Sequence, residues 1–487
     1  MPIGKSSALY RQLAKAIPAE RLLVSAEALA PYECDGLSAY RQQPLLVALP
    51  DTIEEAKHVI QVCTQLNVPV VARGAGTSLS GGALPHQSGV VLSLARFNRI
   101  LSIDPLNRTA RVQPGVRNLA ITEAVSKHGL YYAPDPSSQI ACSIGGNVAE
   151  NAGGIHCLKY GLTVHNILEL KVLTVDGELL TIGSQALDSP GYDLLALMTG
   201  SEGMLGVIVE ITVRLLPVPE VTRVLLSAFD DIEKAGNSVA AIISSGIIPS
   251  GLEMMDGASI KAADDFIKAG YPENAKAILL CDLDGTSSDV ASQIVKVEQI
   301  LKENGATEVR LAETEQQRLA FWAGRKAAFP AVGRLAPDYY CMDGSIPRKH
   351  LGTVLKRIYE FSTEYELDVA NVFHAGDGNL HPLILYDSNQ PGELEKAESF
   401  GGRILELCVE VGGSITGEHG VGIEKIDQMC VQFQALELEH FHAIKNAFDP
   451  QRLLNPGKAV PELHRCAELG AMHVHNGQLP HPELERF

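Results

Sequence analysis

A chain of 487 residues, 46% hydrophobic and 20% charged, exceeds one compact core and calls for two or three domains. Its formal charge of −18 excludes a nucleic-acid partner, since a phosphate backbone repels such a surface, and disfavours adhesion to anionic lipid. No apolar run approaches the roughly 18 residues that a spanning helix needs.

Near the start, Arg11, Lys15, Glu20 and Arg21 interrupt the apolar residues and leave no h-region for a signal peptide, so the expected location is the cytoplasm. Thr52-x-x-Glu55 is a capping box that opens a helix running towards Asn67. Val68 to Ala72 then reads as a buried strand entering a glycine-rich loop. Asn118 to His128 reads as a helix, with Gly129 placed to end it. Asp176-Gly177, between apolar runs 167–175 and 178–182, signals a hairpin. A β-like run over 207–215 precedes Pro217-Val-Pro219, where the first region ends. Strands and helices mix again to about residue 410, and a helix over 436–448 closes at Asp449-Pro450. The expected class is α+β, divided as 1–217, 218–410 and 411–487.

Nine cysteines are scattered from Cys34 to Cys466 without a CxxC. Disulfide scaffolds and thiolate-bound clusters need closer, patterned spacing, so the expectation is reduced, mostly buried thiols and no iron–sulfur cluster in this chain.

Three segments of the first region are rich in glycine and serine. Arg73, Gly74, Gly76, Thr77, Gly81 and Gly82 form a loop whose backbone can approach an anion closely. It is neither a P-loop, lacking Lys-Ser/Thr after Gly81, nor a dinucleotide fingerprint by its glycine spacing. Taken alone, it serves equally as a structural turn. The second segment runs from Pro134 through Ser137, Ser138, Ser143, Gly146 and Asn147 to Gly153, and the third over Gly200–Ile208. Three such turns in one domain suit one long anionic ligand, such as a pyrophosphate joined to a flat ring.

In order and spacing these segments resemble the FAD-binding domain of the vanillyl-alcohol-oxidase-type flavoproteins. Within that superfamily the chain is most similar to the FAD subunits of bacterial glycolate oxidases, from Pro31–Tyr40 through Phe321–Lys326 to Pro482–Phe487. The resemblance implies a two-subdomain FAD-binding domain over 1–217, a substrate or cap domain over 218–410, and a helical C-terminal segment that completes the active site. It also implies that Arg73 to Gly82 cradle the pyrophosphate. Ser137, Ser138, Ser143, Gly146 and Asn147 would line the flavin, with Pro134 and Gly153 at the ends of that segment and Gly206 and Ile208 near the nucleotide. Some relatives attach flavin through a histidine in the first loop. Here Thr77 and Ser78 stand there, so the FAD is expected to be noncovalent.

His374-Ala-Gly-Asp-Gly-Asn-Leu-His381 places two imidazoles about a tight Asp377-Gly378 turn, and Gly417-Glu418-His419-Gly420 adds a carboxylate and another imidazole. Two histidines and one glutamate are a common divalent-metal set with positions left open for substrate. The resemblance makes His374, His381 and Glu418 the ligands and His419 the base; zinc, manganese and iron(II) all tolerate the set. A 2-hydroxy acid also needs a cation for its carboxylate. Phe321-Trp322-Ala-Gly-Arg325-Lys326 offers two, of which the resemblance favours Arg325 over Lys326.

The expected function is therefore oxidation of a small 2-hydroxy acid, glycolate and D-lactate foremost, by hydride transfer to FAD. The resemblance further implies a second flavoprotein-like subunit and an iron–sulfur subunit as partners, with the membrane reached only through them. The alternative is a stand-alone FAD-linked D-lactate dehydrogenase.

Overall fold

The computed structural model describes residues 4–186 and 190–461, so Pro482–Phe487 and Cys466 lie outside the described residues. The chain divides into two compact units: Met1–Gly153, Leu162–Pro217 and His419–Phe487 form the first, and Gly154–Gly161 with Val218–Glu418 the second. The C-terminal stretch from residue 411 is thus shared, staying with the second unit to Glu418 and returning to the first at His419.

Among the described residues the first unit holds two large sheets, each with its own core, and a two-stranded pair formed by Leu130–Tyr131 and Leu216–Pro217. The four-stranded sheet runs in the order Leu22–Leu23, Leu46–Ala48, Val90–Ser93, Val70–Arg73, the last three parallel. The helix Ile53–Gln65 supplies part of its core because Ala56, Val59, Ile60 and Cys63 recur at helical spacing and are all fully buried. Each such Val or Ile contributes about 1.5–3 kcal/mol of transfer free energy. Thr52 Oγ1 caps this helix by accepting from the Glu55 amide, but the Glu55 carboxylate accepts from Asp51 N–H and pairs with Arg21 instead of returning to Thr52. The second half of the expected box is therefore diverted by a neighbouring arginine.

The five-stranded sheet is antiparallel, in the order Ile100–Asp104, Thr109–Val112, Val207–Arg214, Ile167–Leu173, Leu179–Gly183. Its last two strands are joined through Gly177, whose φ of 78° suits the turn at Asp176-Gly177. The helix Asn118–Val125 tightens into a 3₁₀ turn over Ser126–His128 and stops at Gly129 in the left-handed region. The last helix among the described residues is Ala435–Phe448.

The second unit is built on a seven-stranded antiparallel sheet with Gly251–Asp256 and Val369–Phe373 adjacent near its middle. Strand Pro382–Tyr386 follows on the far side of Val369–Phe373. The helix Glu315–Val332 opens with a reciprocal Thr314/Gln317 capping box and buries Phe321, Trp322, Arg325 and Ala328 on one face. Trp322 belongs to the apolar core with Met255, Tyr271 and Phe321. Seven described cysteines are free, five of them from Cys142 to Cys408, whereas Cys430 is disulfide-bonded, so the expectation of reduced thiols fails at that position.

Candidate active site

In the first unit the three glycine segments converge. Ser143 Oγ accepts from the Ala75 amide of the first loop, and a Cβ on Gly74 would sit 2.1 Å from that hydroxyl, so only glycine permits the approach. The third segment docks on the same helix, Ile144–Glu150, through Gly200 N–H to Val148 O and Glu202 N–H to Ala149 O, both 2.8 Å. Asn455 Nδ2 donates to both Gly82 O and Glu202 O and so ties the first segment to the third.

Among the described residues, the amides of Gly76, Thr77 and Ser78 make no hydrogen bond. That row of donors beside the Ser78 hydroxyl suits an anionic phosphate group, and the site therefore fits FAD. The Arg73 guanidinium is not part of the row. It is buried and braces the loop from behind, donating to Cys34 O and Ala83 O and lying over the Tyr32 ring. Asn147 is likewise turned inward, accepting from Asn118 and reaching the Cys142 sulfur. Pro134 contributes a carbonyl to Asn118. Ser137 is exposed, Ser138 and Gly146 are half-buried, and Gly153 is buried. Gly206 packs against Val172, and the Ile208 side chain belongs to the apolar core.

In the second unit, His374 follows strand Val369–Phe373 and His381 precedes strand Pro382–Tyr386. The connecting turn is closed by His374 N–H to Asn379 O and Gly378 N–H to His374 O, with Gly378 at φ 84°. The antiparallel pairing therefore brings the two rings to a centroid distance of 5.2 Å. Both point Nε2 at Glu418 Oε1, at 3.3 Å from His374 and 2.9 Å from His381. Both rings also engage an acceptor through Nδ1: Glu253 Oε1 at 2.8 Å for His374 and Met342 O at 3.3 Å for His381. Those partners turn Nε2 of each ring into the cluster, the arrangement that a metal-bound imidazole would need.

The donor atoms of His374, His381 and Glu418 lie within 4.8 Å of one another. Bonds of about 2.1 Å place neighbouring ligands of a tetrahedral site about 3.4 Å apart, so the set fits a divalent cation. The buried Asn379 Oδ1, without a hydrogen-bond partner among the described residues, adds an acceptor beside Gly417. Burial opposes charge on both His374 and Glu418, but the neighbouring charges win. Glu253 and then Glu418 hold the imidazole well above the usual histidine range, while His374 and His381 hold the Glu418 carboxyl well below its own.

Arg325 is 2% exposed and faces Glu253 Oε2 through Nε at 2.9 Å and Nη2 at 2.7 Å. Lys326, the next residue, is exposed, about 100° further round the same helix, so the two cations are not brought together. That geometry removes Lys326 from the expected carboxylate site.

Residues 44–183 match the model of an FAD binding domain and residues 218–459 that of the C-terminal domain of FAD linked oxidases. The chain is 65% identical to Glycolate oxidase subunit GlcD of Escherichia coli (strain K12), over all of this chain and 98% of that protein. The chain belongs to the FAD-linked oxidase family. This FAD-linked oxidase is also 39% identical to Glycolate oxidase subunit GlcD of Bacillus subtilis, over 88% of the chain and 91% of that protein. With the D-lactate dehydrogenase of Anaerostipes hadrus it shares 32% over 92% of the chain and 96% of that protein. Its fold is that of p-cresol methylhydroxylase, at TM-score 0.79 and 17% identity, over 95% of this chain and 99% of that one. The FAD-linked oxidase thus has an FAD-binding domain of the vanillyl-alcohol-oxidase type, and FAD is its cofactor.

Two residues that serve the three-donor cluster of this oxidase escaped the sequence reading. Glu253 lies 121 residues before His374; its signal was a lone carboxylate inside the apolar strand Gly-Leu-Glu-Met-Met. Asp343, fully buried, accepts from Thr416 Oγ1 at 2.6 Å and from the amides of Gly417 and Glu418, which fixes the backbone under the Glu418 carboxylate. Its position in Asp-Gly-Ser-Ile-Pro gave the sequence no reason to assign it this task.

Proposed function

We propose that this chain oxidises small 2-hydroxy acids, glycolate and D-lactate among them, to the 2-oxo acid, as the FAD-carrying subunit of a larger dehydrogenase. The observation that carries this reading is the convergence of His374 Nε2, His381 Nε2 and Glu418 Oε1, in a chain 65% identical throughout to a glycolate oxidase subunit.

Bound FAD supplies the acceptor for the hydride that leaves C2, and a bound divalent metal supplies a Lewis acid for the 2-hydroxyl. His374, His381 and Glu418 would hold that metal, whether zinc, manganese or iron(II). Arg325 meets the substrate carboxylate through the edge not facing Glu253, where a guanidinium offers paired donors. His419 takes the proton of the 2-hydroxyl on its imidazole, and release of hydride from C2 then leaves a neutral carbonyl at that carbon. Adding glycolate anaerobically to the purified protein should bleach the flavin absorption, and an unchanged spectrum rules the activity out. Without partner subunits, reoxidation should be slow unless a dye is added. Fast stoichiometric hydrogen peroxide would instead make the chain a self-contained oxidase.

The partners we infer are a second flavoprotein-like subunit and an iron–sulfur subunit, because reduced flavin needs an acceptor. No helix among the described residues is long and apolar enough to cross a membrane. We place the chain in the cytoplasm, at the membrane only through those partners. A second reading, a stand-alone D-lactate dehydrogenase, is favoured by the 32% identity to the Anaerostipes enzyme. A glycolate-to-lactate rate comparison separates the two.

We further infer that FAD is held without a covalent bond, since the first loop offers Thr77 and Ser78 and no histidine. Acid precipitation should release the yellow colour into the supernatant, and colour kept by the washed pellet would refute it.

A further inference from the structure

Glu253 stands between two groups that arrive from different elements. It sits on strand Gly251–Asp256 and is 1% exposed. Its Oε1 accepts from His374 Nδ1 at the end of strand Val369–Phe373, and its Oε2 faces Nε and Nη2 of Arg325 on helix Glu315–Val332. A buried carboxylate is stable only when both oxygens are satisfied, and here each oxygen serves a different partner.

Both partners are themselves nearly inaccessible, at 3% for His374 and 2% for Arg325. Neither can shift without breaking a buried charged hydrogen bond, so the distance between imidazole and guanidinium is set by the width of one carboxylate. On the function proposed above, those two groups address opposite ends of the substrate.

We propose that Glu253 is a positioning residue that brackets the metal end to the carboxylate end of the site, and thereby selects acids whose hydroxyl and carboxylate sit on adjacent carbons. It touches no substrate. Through His374 it fixes the tautomer and ring plane of one metal ligand, and through Arg325 the plane of the fork. A 3-hydroxy acid, one carbon longer between the two groups, cannot fit both.

The test uses full-length, flavin-loaded protein stripped of metal and titrated with Mn²⁺. Glu253→Asp keeps the charge but retracts it by one methylene. It should raise the Mn²⁺ Kd about 10- to 100-fold, the usual effect of losing an outer partner of a ligating histidine. The same variant should narrow the kcat/KM ratio of glycolate over 3-hydroxypropionate by about tenfold, since misplaced reacting groups lose their orientation. A weakened Mn²⁺ affinity with an unchanged ratio would mean that Glu253 serves His374 alone, and the bracket fails.

Arg325→Lys, in parallel, replaces the fork with a point charge and touches no ligand. It should raise the Mn²⁺ Kd about fivefold through Glu253. An unchanged Kd there overturns the link, and this arm decides alone if Glu253→Asp does not fold. A wild-type protein that takes up neither Mn²⁺ nor Zn²⁺ would fail the proposed function itself, before any variant is compared.

Discussion

His419→Ala is expected to slow anaerobic flavin reduction by glycolate roughly 10²–10⁴-fold, the span of a positioned general base, with FAD and metal contents unchanged. The backbone on either side of this residue is anchored by groups other than its own side chain. Upstream, Asp343 holds the Gly417 and Glu418 amides. Downstream, Glu202 accepts from the Val421 and Gly422 amides, both at 2.7 Å, and Lys425 donates to Gly420 O. These bonds hold the turn from both sides, so it should persist in the variant. A base whose loss matters only in the reductive step should lower kcat and kcat/KM together. Stopped-flow reduction at the wild-type rate would remove His419 from the role.

His374→Ala or His381→Ala should lower metal content and cut turnover by about a hundredfold or more, comparable to losing one preorganised electrostatic group. Flavin should stay bound, because the FAD-binding residues belong to the other unit. The unmodified protein carries a related signature. The two facing carboxylates raise the proton affinity of His374, so protons compete with metal at this ligand to a higher pH than at an ordinary histidine. Metal affinity should therefore rise with pH and fall on acidification. Elemental analysis after dialysis across a pH series checks the direction. Full activity in a metal-depleted double variant would dismiss the site.

What the sequence disclosed and what it hid follow one physical line. Turn chemistry is local, so Asp176-Gly177, Gly129 and the Asp377-Gly378 turn between the two histidines were legible from a few residues each. The gathering of the three glycine segments was also legible, because glycine spacing records where backbones approach. Side-chain partnerships across long separations leave no such record. Nothing near Arg73 signalled that its guanidinium would brace Cys34 and Ala83. Nothing near Arg325 signalled Glu253 in the adjacent core. The diverted Glu55 is the same case on a small scale, since Arg21 outcompetes the cap it was expected to complete.

The first unit takes a piece of its oldest sheet from its youngest residues. Val70 donates to Leu453 O and accepts from the Asn455 amide, and Leu453 and Leu454 lie in the core beneath that sheet. Lys445 adds bonds to Met204 O and Leu454 O. Chains emerge from the ribosome N-terminus first, at about 5–20 residues per second. Residues Val218–Glu418 are therefore complete while the first unit still lacks its closing strand-like segment. The nascent flavin domain must wait, with Val70 unpaired on that side, for roughly 12–50 s at that pace while the intervening chain is made. During that interval the four-stranded sheet presents an open edge, the kind of surface on which chaperones act and neighbouring chains aggregate. A stop codon just before Leu453 would make that interval permanent, although every glycine loop and every candidate ligand would already have been translated.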